Sequence, residues 1–377
     1  MAPKHLQIAF IRRGFSRSGG AETYLQRLAA GLCESGHRAS LVTTADWPKT
    51  EWPFGELIHL NGKSPAQFAN AVERWRVAAH CDVIMSLERV WRCDVYRAGD
   101  GVHRAWLERR AQAGGARARI ATALNSKHGR ILRLEESLFG PDGAGHVIAN
   151  SEMVKREIIA NYRYPARKID VVYNGVPLDR FRLTEIERTR HRDALGLARD
   201  DVAVLFVGSG WERKGLRYLM DAIEKLAQRK LKLLVAGKGS ERNYRSDRAQ
   251  FLGEVANLAP LYRASDIFVL PTLYDPFSNA CLEALASGLP VITTTANGFS
   301  EAIDDGVHGT ILAEISADAV AEAITFWSDT DRRNAARSLI LERAARFDIA
   351  SNVSRTLEIL IQAAARAAST SGKIRKT

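Results

Sequence analysis

No stretch of this 377-residue sequence contains the roughly 18 uninterrupted apolar residues that a membrane-spanning helix requires. Any membrane contact should therefore be peripheral. Cysteine is scarce, because the chain has only four and none are in CxxC spacing. This usage argues against a disulfide scaffold and favours a reducing cytosol, with Cys33, Cys81, Cys93 and Cys281 as core thiols. Low-complexity segments are missing as well, which argues against extended disorder.

The composition is that of an ordinary globular protein, with 46% hydrophobic and 26% charged residues. A chain of this length exceeds the size at which one hydrophobic core usually keeps growing, so two domains are expected. The first apolar run, residues 6–11, is too short for the core of a signal peptide and is interpreted as a first strand.

The net charge of +11 is unevenly distributed. Between Arg97 and Arg133 there are nine Arg or Lys against only Asp100 and Glu108. Such a segment favours an anionic partner, which could be nucleic acid, an acidic membrane surface or a phosphorylated acceptor. Charge alone does not choose among the three.

Short β-branched or apolar runs alternate with stretches of helical length along the whole chain. This pattern is typical of parallel strands joined by crossover helices. We predict strands at 6–10, 40–43, 83–86 and 146–149 in the first half, with helices at 21–34 and 66–80, and strands at 202–207, 231–236, 267–270 and 291–294 in the second half.

The expected fold is therefore α/β, with two Rossmann-like doubly wound domains. An Asn-Gly turn and a proline in Val171-Val-Tyr-Asn-Gly-Val-Pro177 mark the boundary between them. We predict domains at 1–175 and 176–345, and a segment at 346–377 that crosses back to the first domain and ends in a basic tail. From Asp331 to about Ala368 the pattern is continuously helical.

Two glycine-containing loops follow strands and open helices. The first is Gly14-Phe-Ser-Arg-Ser-Gly-Gly-Ala-Glu22, in which Gly19 and Gly20 precede the helix. Such a loop lets backbone N–H groups and the positive end of the helix dipole approach a phosphate. It lacks the GxGxxG spacing, so a plain strand-to-helix turn is the alternative.

The second loop is Val207-Gly-Ser-Gly-Trp-Glu-Arg-Lys-Gly215, which contains Gly208 and places Arg213 and Lys214 directly before a helix. Two cations beside helix N–H donors suit a diphosphate, because both oppose the charge that grows on a departing nucleotide. Solvated surface cations are the alternative.

The strongest feature is Leu273-Tyr-Asp-Pro-Phe-Ser-Asn-Ala-Cys-Leu-Glu-Ala-Leu-Ala-Ser-Gly-Leu-Pro-Val291. Asp275 lies in a loop, and Glu283 lies eight residues later inside an otherwise apolar helix. A solvated helix face does not explain that carboxylate. Ribose or sugar hydroxyls are suitable partners, since a carboxylate accepts two hydrogen bonds from a vicinal diol.

These features, with Leu234-Val-Ala-Gly-Lys-Gly239 and Tyr262-Arg-Ala-Ser-Asp-Ile-Phe-Val-Leu-Pro271 between them, resemble the retaining GT-B glycosyltransferases of the group-one, or family-four, class over nearly the whole chain. The GT-B fold has two Rossmann-like domains facing across a cleft. The family signature is two glutamates separated by seven residues, and here Asp275 takes the first place and Glu283 the second.

The resemblance implies a role for each matched residue. Glu283 would bind the ribose and Asp275 the donor sugar, while Arg213 and Lys214 would neutralise the diphosphate. The glycines Gly19, Gly20 and Gly208 would let backbone approach the donor. Backbone amides around Phe277, Ser278 and Asn279 would contact the donor sugar.

A narrower resemblance, to glucosyltransferases of the lipopolysaccharide inner core, lies in Cys93-Asp-Val-Tyr-Arg-Ala-Gly-Asp100-Gly-Val-His103. It implies that Asp100 faces the reaction centre, although an Asp-Gly pair is also a good turn. His103 has no secure counterpart.

The implied enzyme moves a hexose, with glucose favoured, from a nucleotide diphosphate sugar, with UDP favoured, to a saccharide or lipid-linked acceptor. Synthesis of lipopolysaccharide core or another cell-surface glycan in the cytoplasm would fit, with peripheral contact to the inner face of the membrane through residues 102–134. In that segment Trp106 and Leu107 lie among cations, and Ile120, Leu124 and Ile131 could share one helical face.

No cofactor or metal is expected, because the single DxD, Asp329-Thr-Asp331, is remote from the other motifs and suits a helix cap. One alternative is a GT-B epimerase that acts on the nucleotide sugar without a separate acceptor. A non-enzymatic nucleic-acid-binding protein is disfavoured, since no DNA- or RNA-binding motif is present.

Overall fold

A computed structural model gives the positions of residues 5–16, 19–112, 125–182, 185–226, 230–244 and 246–374, the last five as backbone only. The chain divides into two units, each with its own parallel sheet. Unit 1 comprises Met1–Asn174 and Ile349–Thr377, and unit 2 comprises Gly175–Asp348.

The sheet of unit 1 has seven strands in the order β3-β2-β1-β4-β5-β6-β7. All neighbours pair in parallel, with Ile8 opposite Ala39 on one side and Val83 on the other. The strands are β1 Gln7–Ile11, β2 Arg38–Thr43, β3 Leu57–His59, β4 Val83–Ser86, β5 Cys93–Arg97, β6 Ala144–Ala149 and β7 Ile169–Val171.

Helices cover this sheet because each has one apolar face. The helices are α1 Gly20–Glu34, α2 Pro65–Arg76, α3 at 103–112, α4 Ser126–Leu138, α5 Glu152–Tyr162 and, from the far end of the chain, α13 Ile349–Ile374. Helix α13 packs against α1 closely enough that a Cβ on Gly31 would lie 2.8 Å from Val353 Cγ2. Its residues Ile359 and Leu360 belong to the core of unit 1.

Unit 2 repeats the plan with six parallel strands in the order β10-β9-β8-β11-β12-β13. These strands are β8 Val202–Val207, β9 Leu231–Ala236, β10 Ala249–Gly253, β11 Ile267–Leu270, β12 Val291–Thr294 and β13 Gly309–Leu312. The helices are α6 Leu178–Phe181, α7 Glu185–Ala194, α8 Leu216–Lys225, α9 Ala259–Ala264, α10 Asn279–Ala286, α11 Ala317–Trp327 and α12 Thr330–Ala345.

In both sheets the strand order reverses at one place, between β1 and β4 in unit 1 and between β8 and β11 in unit 2. Open α/β sheets bind ligands outside the carboxyl ends of the strands at such a point. The loops after these four strands are therefore where a ligand is expected in each unit.

The predicted α/β fold with two doubly wound sheets is confirmed, and the strands predicted at 83–86, 202–207, 231–236, 267–270 and 291–294 have those bounds. The prediction of one continuous terminal helix from Asp331 to Ala368 is wrong, because α12 ends at Ala345 and α13 begins at Ile349. The chain is extended there because the Val176 N–H donates to the Phe347 carbonyl (2.9 Å) and Val176 pairs with Asp348 as a β-bridge.

Within the described ranges, no helix is both long and apolar enough to cross a membrane.

Candidate functional site

In unit 2 the loops after β8 and β11 touch through backbone. Gly215, the N-cap of α8, has φ +76°, and a Cβ there would lie 1.9 Å from the Pro271 carbonyl oxygen. Only glycine fits that conformation and that contact. The Arg213 carbonyl then accepts bonds from the Leu273 N–H (2.9 Å) and the Thr272 hydroxyl (3.0 Å). The cation-bearing loop is thus held against the loop that carries Asp275.

Lys214 and Asp275 form a buried ion pair at this point, with side chains 13% and 8% exposed. The two residues are far apart in sequence, and the structure brings them together. An ammonium has three N–H donors, so contact with Asp275 leaves others for a ligand. The Asp275 carboxylate thereby fixes the position of the Lys214 ammonium.

Glu283 lies on α10, whose residues from Cys281 to Ala286 are buried. Its carboxylate is within hydrogen-bond reach of the buried Tyr262 hydroxyl, with 3.3 Å between Tyr262 Oη and Glu283 Oε2. The structure gives this carboxylate a polar partner, as predicted, and the partner is Tyr262, which was not singled out from the sequence. An aromatic hydroxyl inside the buried segment before β11 was the available signal, since a buried hydroxyl needs a partner.

The loop from Phe277 to Asn279 is held by Asn297, which the sequence reading missed. Asn297 Oδ1 accepts the N–H groups of Ser278 (3.2 Å) and Phe299 (3.1 Å), and its Nδ2 donates to Thr293 Oγ1 (3.0 Å). The Ser278 hydroxyl accepts the Cys281 N–H (3.3 Å) and caps α10. The Ser278 amide is therefore already engaged, which weighs against its predicted contact with the donor sugar.

Phe277 is buried and packs on the rings of Phe299 and Phe347, with centroids 5.7 and 6.4 Å away. Its side chain is thus part of the core and does not face a ligand. Gly208 lies directly after β8, and a Cβ there would be 3.3 Å from Lys214 Cγ. A glycine at 208 leaves room for the Lys214 stem.

In unit 1, Gly19 is the N-cap of α1 and Gly20 its first residue, while residues 17–18 of the predicted loop lie outside the described ranges. A Cβ on Gly19 would lie 1.8 Å from Glu22 Oε2. The carboxylate of Glu22 therefore lies over the start of the helix, where its charge is favoured by the helix dipole. The predicted phosphate position at Gly19 and Gly20 already has an anion beside it.

Asp100 follows β5 and its side chain is 41% exposed. Its Oδ2 accepts a hydrogen bond from Arg12 Nη1 at 3.0 Å. Arg12 also donates to Glu22 Oε1 from Nη2 (3.2 Å), so one guanidinium joins Asp100 to the start of α1. Burial would lower the pKa of Arg12, but the carboxylates of Asp100, Glu88 and Glu22 outweigh it and raise that pKa.

The turn after Asp100 is held by Glu135 on α4. This buried carboxylate accepts the His103 N–H (2.7 Å) and lies 2.8 Å from Arg89 Nε, while Arg89 Nη2 donates to the Gly101 carbonyl (2.7 Å). Burial raises the pKa of Glu135, yet Arg89 and the His103 amide hold it below its usual range. Glu135 and Glu136 both lie between Leu134 and Leu138, and only the structure shows that Glu135 is buried and Glu136 exposed.

His103 is neutral at physiological pH, because burial and the nearby Arg89 lower its pKa to about 4. Its Nε2 lies 3.1 Å from His128 Nδ1, so one ring donates and the other accepts. The pair links the start of α3 to α4.

The predicted membrane-facing segment is only partly described, since residues 113–124, including Ile120 and Leu124, lie outside the described ranges. Leu107, predicted to lie among the cations of a membrane-facing segment, is buried within unit 1. Arg109 forms an ion pair with Glu157 (2.8 Å). Part of the positive charge at the start of the segment is therefore compensated within unit 1.

Asp329 caps α12 by accepting the Arg332 N–H at 2.9 Å, so the DxD forms the helix cap that was predicted. In the described part of the chain, no group of three or more His, Cys, Asp or Glu side chains is placed to hold a metal ion.

Two family models match, one in each unit. Residues 18–180 match Glycosyltransferase Family 4, and residues 201–329 match Glycosyl transferases group 1. The chain belongs to these glycosyltransferases and has their GT-B fold, with its two Rossmann-like sheets.

Among curated relatives, an uncharacterised glycosyltransferase of Methanocaldococcus jannaschii is 33% identical over 189 residues, 46% of this chain and 48% of the relative. A D-inositol 3-phosphate glycosyltransferase of Mycobacterium leprae is 30% identical over 223 residues, covering 54% and 51%. The chain thus spans about half the length of both relatives. A third relative, D-inositol 3-phosphate glycosyltransferase 1 of Catenulispora acidiphila, is 26% identical over 92% of this chain and 91% of its own.

Solved structures share the fold at lower identity. WaaG, a glycosyltransferase involved in lipopolysaccharide biosynthesis, superposes with a TM-score of 0.81 at 21% identity, covering 94% of this chain and 99% of WaaG. HepE of Anabaena, solved in complex with UDP and glucose, superposes with a TM-score of 0.74 at 20% identity over 94% and 99% of the two chains.

Proposed function

We propose that this chain is a retaining hexosyltransferase that moves a sugar, with glucose favoured, from a UDP-sugar to a saccharide or lipid-linked acceptor. The observation that carries the proposal is the buried Lys214–Asp275 ion pair at the reversal point of the unit 2 sheet, with Arg213 beside it. A positioned cation at the carboxyl edge of the sheet is what a departing diphosphate requires. The UDP and glucose bound to HepE support this donor class.

Each unit 2 residue has a separate task in this scheme. Glu283 accepts bonds from the ribose diol, Arg213 and Lys214 bind the diphosphate, and Asp275 orients Lys214 and faces the sugar. Since Asp275 is one methylene shorter than the usual glutamate and is paired with Lys214, its main effect is through that cation. Gly208 and the backbone of Phe277 and Asn279 complete the donor surface, while the Ser278 amide is held by Asn297.

Retention at the anomeric carbon follows from same-face attack, in which the leaving diphosphate helps to deprotonate the acceptor hydroxyl. Retention by double displacement requires two carboxylates about 5 Å apart across the reacting bond. The two carboxylates proposed for this site are both ion-paired, Asp275 with Lys214 and Asp100 with Arg12, which disfavours either of them as the nucleophile. Lys214 and Arg213 therefore stabilise the negative charge that develops on the leaving diphosphate, and Asp100 faces the acceptor.

Assembly of lipopolysaccharide core or another surface glycan in the cytoplasm fits this activity, and the fold shared with WaaG supports it. The donor is nucleotide-bound sugar, with no cofactor and no metal, and nucleic acid is not a partner. An epimerase would convert the nucleotide sugar without any acceptor.

A donor screen followed by product NMR tests this function. The expected result is glycosyl transfer from UDP-glucose that persists in EDTA and gives a product with the donor's anomeric configuration. An inverted product or transfer that requires a divalent cation would contradict the proposal. Conversion of the nucleotide sugar in the absence of acceptor would instead establish the epimerase.

We further propose that residues 102–134 dock on an anionic membrane, where each exposed cation contributes about 1 kcal/mol before salt screening. Co-sedimentation with vesicles should rise with the anionic lipid fraction and fall with salt. Binding should also fall by more than about ten-fold when Arg110, Arg117, Arg119 and Arg130 are changed to Glu. Arg109 is left unchanged because it pairs with Glu157. Equal recovery with neutral and anionic vesicles would limit the segment to acceptor binding.

A further inference from the structure

Arg12 occupies a central place in unit 1 that neither its sequence context nor the family motifs indicate. It is the first residue after β1, which borders the point where the strand order reverses. From there its guanidinium contacts Asp100, which follows β5, and Glu22 on α1. Its Nη1 also donates to the Leu87 carbonyl at 3.4 Å, directly after β4. One side chain thus joins four segments at the carboxyl edge of the sheet.

Three carboxylates lie near the single guanidinium of Arg12. Glu88, the residue after Leu87, adds a third carboxylate near the guanidinium, and its only ion pair within the described ranges is a 4.0 Å contact with Arg13. The Arg12 side chain is 13% exposed, so these attractions are only partly screened by water. Removing the guanidinium would leave like charges facing each other at this edge.

The position of Glu22 shows how the Arg12 guanidinium affects the binding of an anionic substrate. Its carboxylate lies over the start of α1, beside Gly19, where a bound phosphate is predicted. An unneutralised carboxylate there would repel phosphate. Arg12 contacts Glu22 Oε1 through both Nε (3.3 Å) and Nη2 (3.2 Å) and offsets this charge. The same guanidinium leaves Nη1 for Asp100.

We propose that Arg12 is a positioning residue for the transfer reaction, which holds Asp100 in place and neutralises Glu22 so that the start of α1 accepts phosphate. The proposal rests on the function proposed above. The planar fork of arginine spreads its N–H donors over Asp100 and Glu22 at once, whereas the compact ammonium of lysine does not reproduce that spacing.

The test compares Arg12→Met and Arg12→Lys in the full-length chain, using transfer kinetics and the binding of UDP and uridine. Arg12→Met should lower kcat about ten-fold and weaken UDP binding a few-fold, with uridine binding unchanged. A merely structural role would move the UDP and uridine affinities together. Arg12→Lys keeps a cation, so it should fold well and recover about half of the loss on a logarithmic scale.

Arg13→Met is the matched control, since it removes the neighbouring positive charge but leaves Arg12 with its carboxylates, and its kinetics should stay within about two-fold of wild type. The losses of kcat caused by Arg12→Met and Asp100→Asn should be less than multiplicative in the double variant, because each substitution breaks the same Arg12–Asp100 contact. Full multiplication, or wild-type kinetics in Arg12→Met, would overturn the inference. If Asp100→Asn itself is fully active, the proposed role of Asp100 fails instead.

Discussion

Replacing Lys214 with alanine is expected to lower kcat by about 10²–10³-fold, the usual loss when a preorganised group that stabilises developing charge is removed. The loss should fall mainly on kcat, because charge on the diphosphate grows as the glycosidic bond breaks. The Lys214→Ala/Arg213→Ala double variant should have a still lower kcat. Steady-state kinetics with saturating acceptor measure both effects.

The ion pair with Asp275 provides the control for stability. Lys214→Ala leaves a buried carboxylate without its cation, which should destabilise unit 2 by about 3 kcal/mol. Lys214→Ala combined with Asp275→Asn removes that unpaired charge and should recover most of the stability with no recovery of kcat. Lys225→Ala, which breaks an exposed pair with Asp318, should leave both quantities near wild type. Recovery of kcat in the double variant would show that Lys214 acts through stability alone.

Glu283→Ala is expected to weaken nucleotide binding about 10–100-fold, since hydrogen bonds to a charged group are worth about 1.5–3 kcal/mol each. The fold should survive, because the Tyr262 hydroxyl keeps the Ala280 carbonyl at 3.1 Å as a partner. Titration calorimetry with UDP measures the loss.

A second nucleotide makes this result specific to the ribose. Wild-type protein should bind 2′-deoxy-UDP about ten-fold more weakly than UDP, because one hydroxyl of the diol is missing, and Glu283→Ala should bind the two equally. Tyr262→Phe keeps the carboxylate and should keep the discrimination. If Glu283→Ala still distinguishes the two nucleotides as wild type does, the ribose contact lies elsewhere.

The sequence predicted the buried strands well because their apolar runs are uninterrupted. Strand β8 reads Val-Ala-Val-Leu-Phe-Val between turn formers, and its bounds were predicted without error. Strand β5 was not predicted, since Cys93-Asp-Val-Tyr-Arg97 mixes polar and apolar residues. The sequence also does not show that α13, from the far end of the chain, packs against this strand. Short edge strands such as β3 carry too few residues to show a period.

For the candidate site, local motifs indicated residues but not their partners. Lys214 and Asp275 were assigned separately, because a contact between loops 61 residues apart depends on strand order. Arg12 was not singled out from the sequence, and only the structure shows the three carboxylates that β4, β5 and α1 bring around it. Glu135 and Asn297 support loops through backbone bonds, which leave no pattern in the sequence.

The return of α13 to unit 1 sets an order for folding during synthesis. Unit 2 is one uninterrupted segment, so all of its strands have left the ribosome before α13 does. Most of unit 1 precedes unit 2 along the chain, yet four residues of its core follow unit 2: Ile359, Leu360, Ala363 and Ala364. The part of α1 that packs on α13 therefore stays uncovered until α13 is made, and unit 1 is completed only after all of unit 2 has been synthesised.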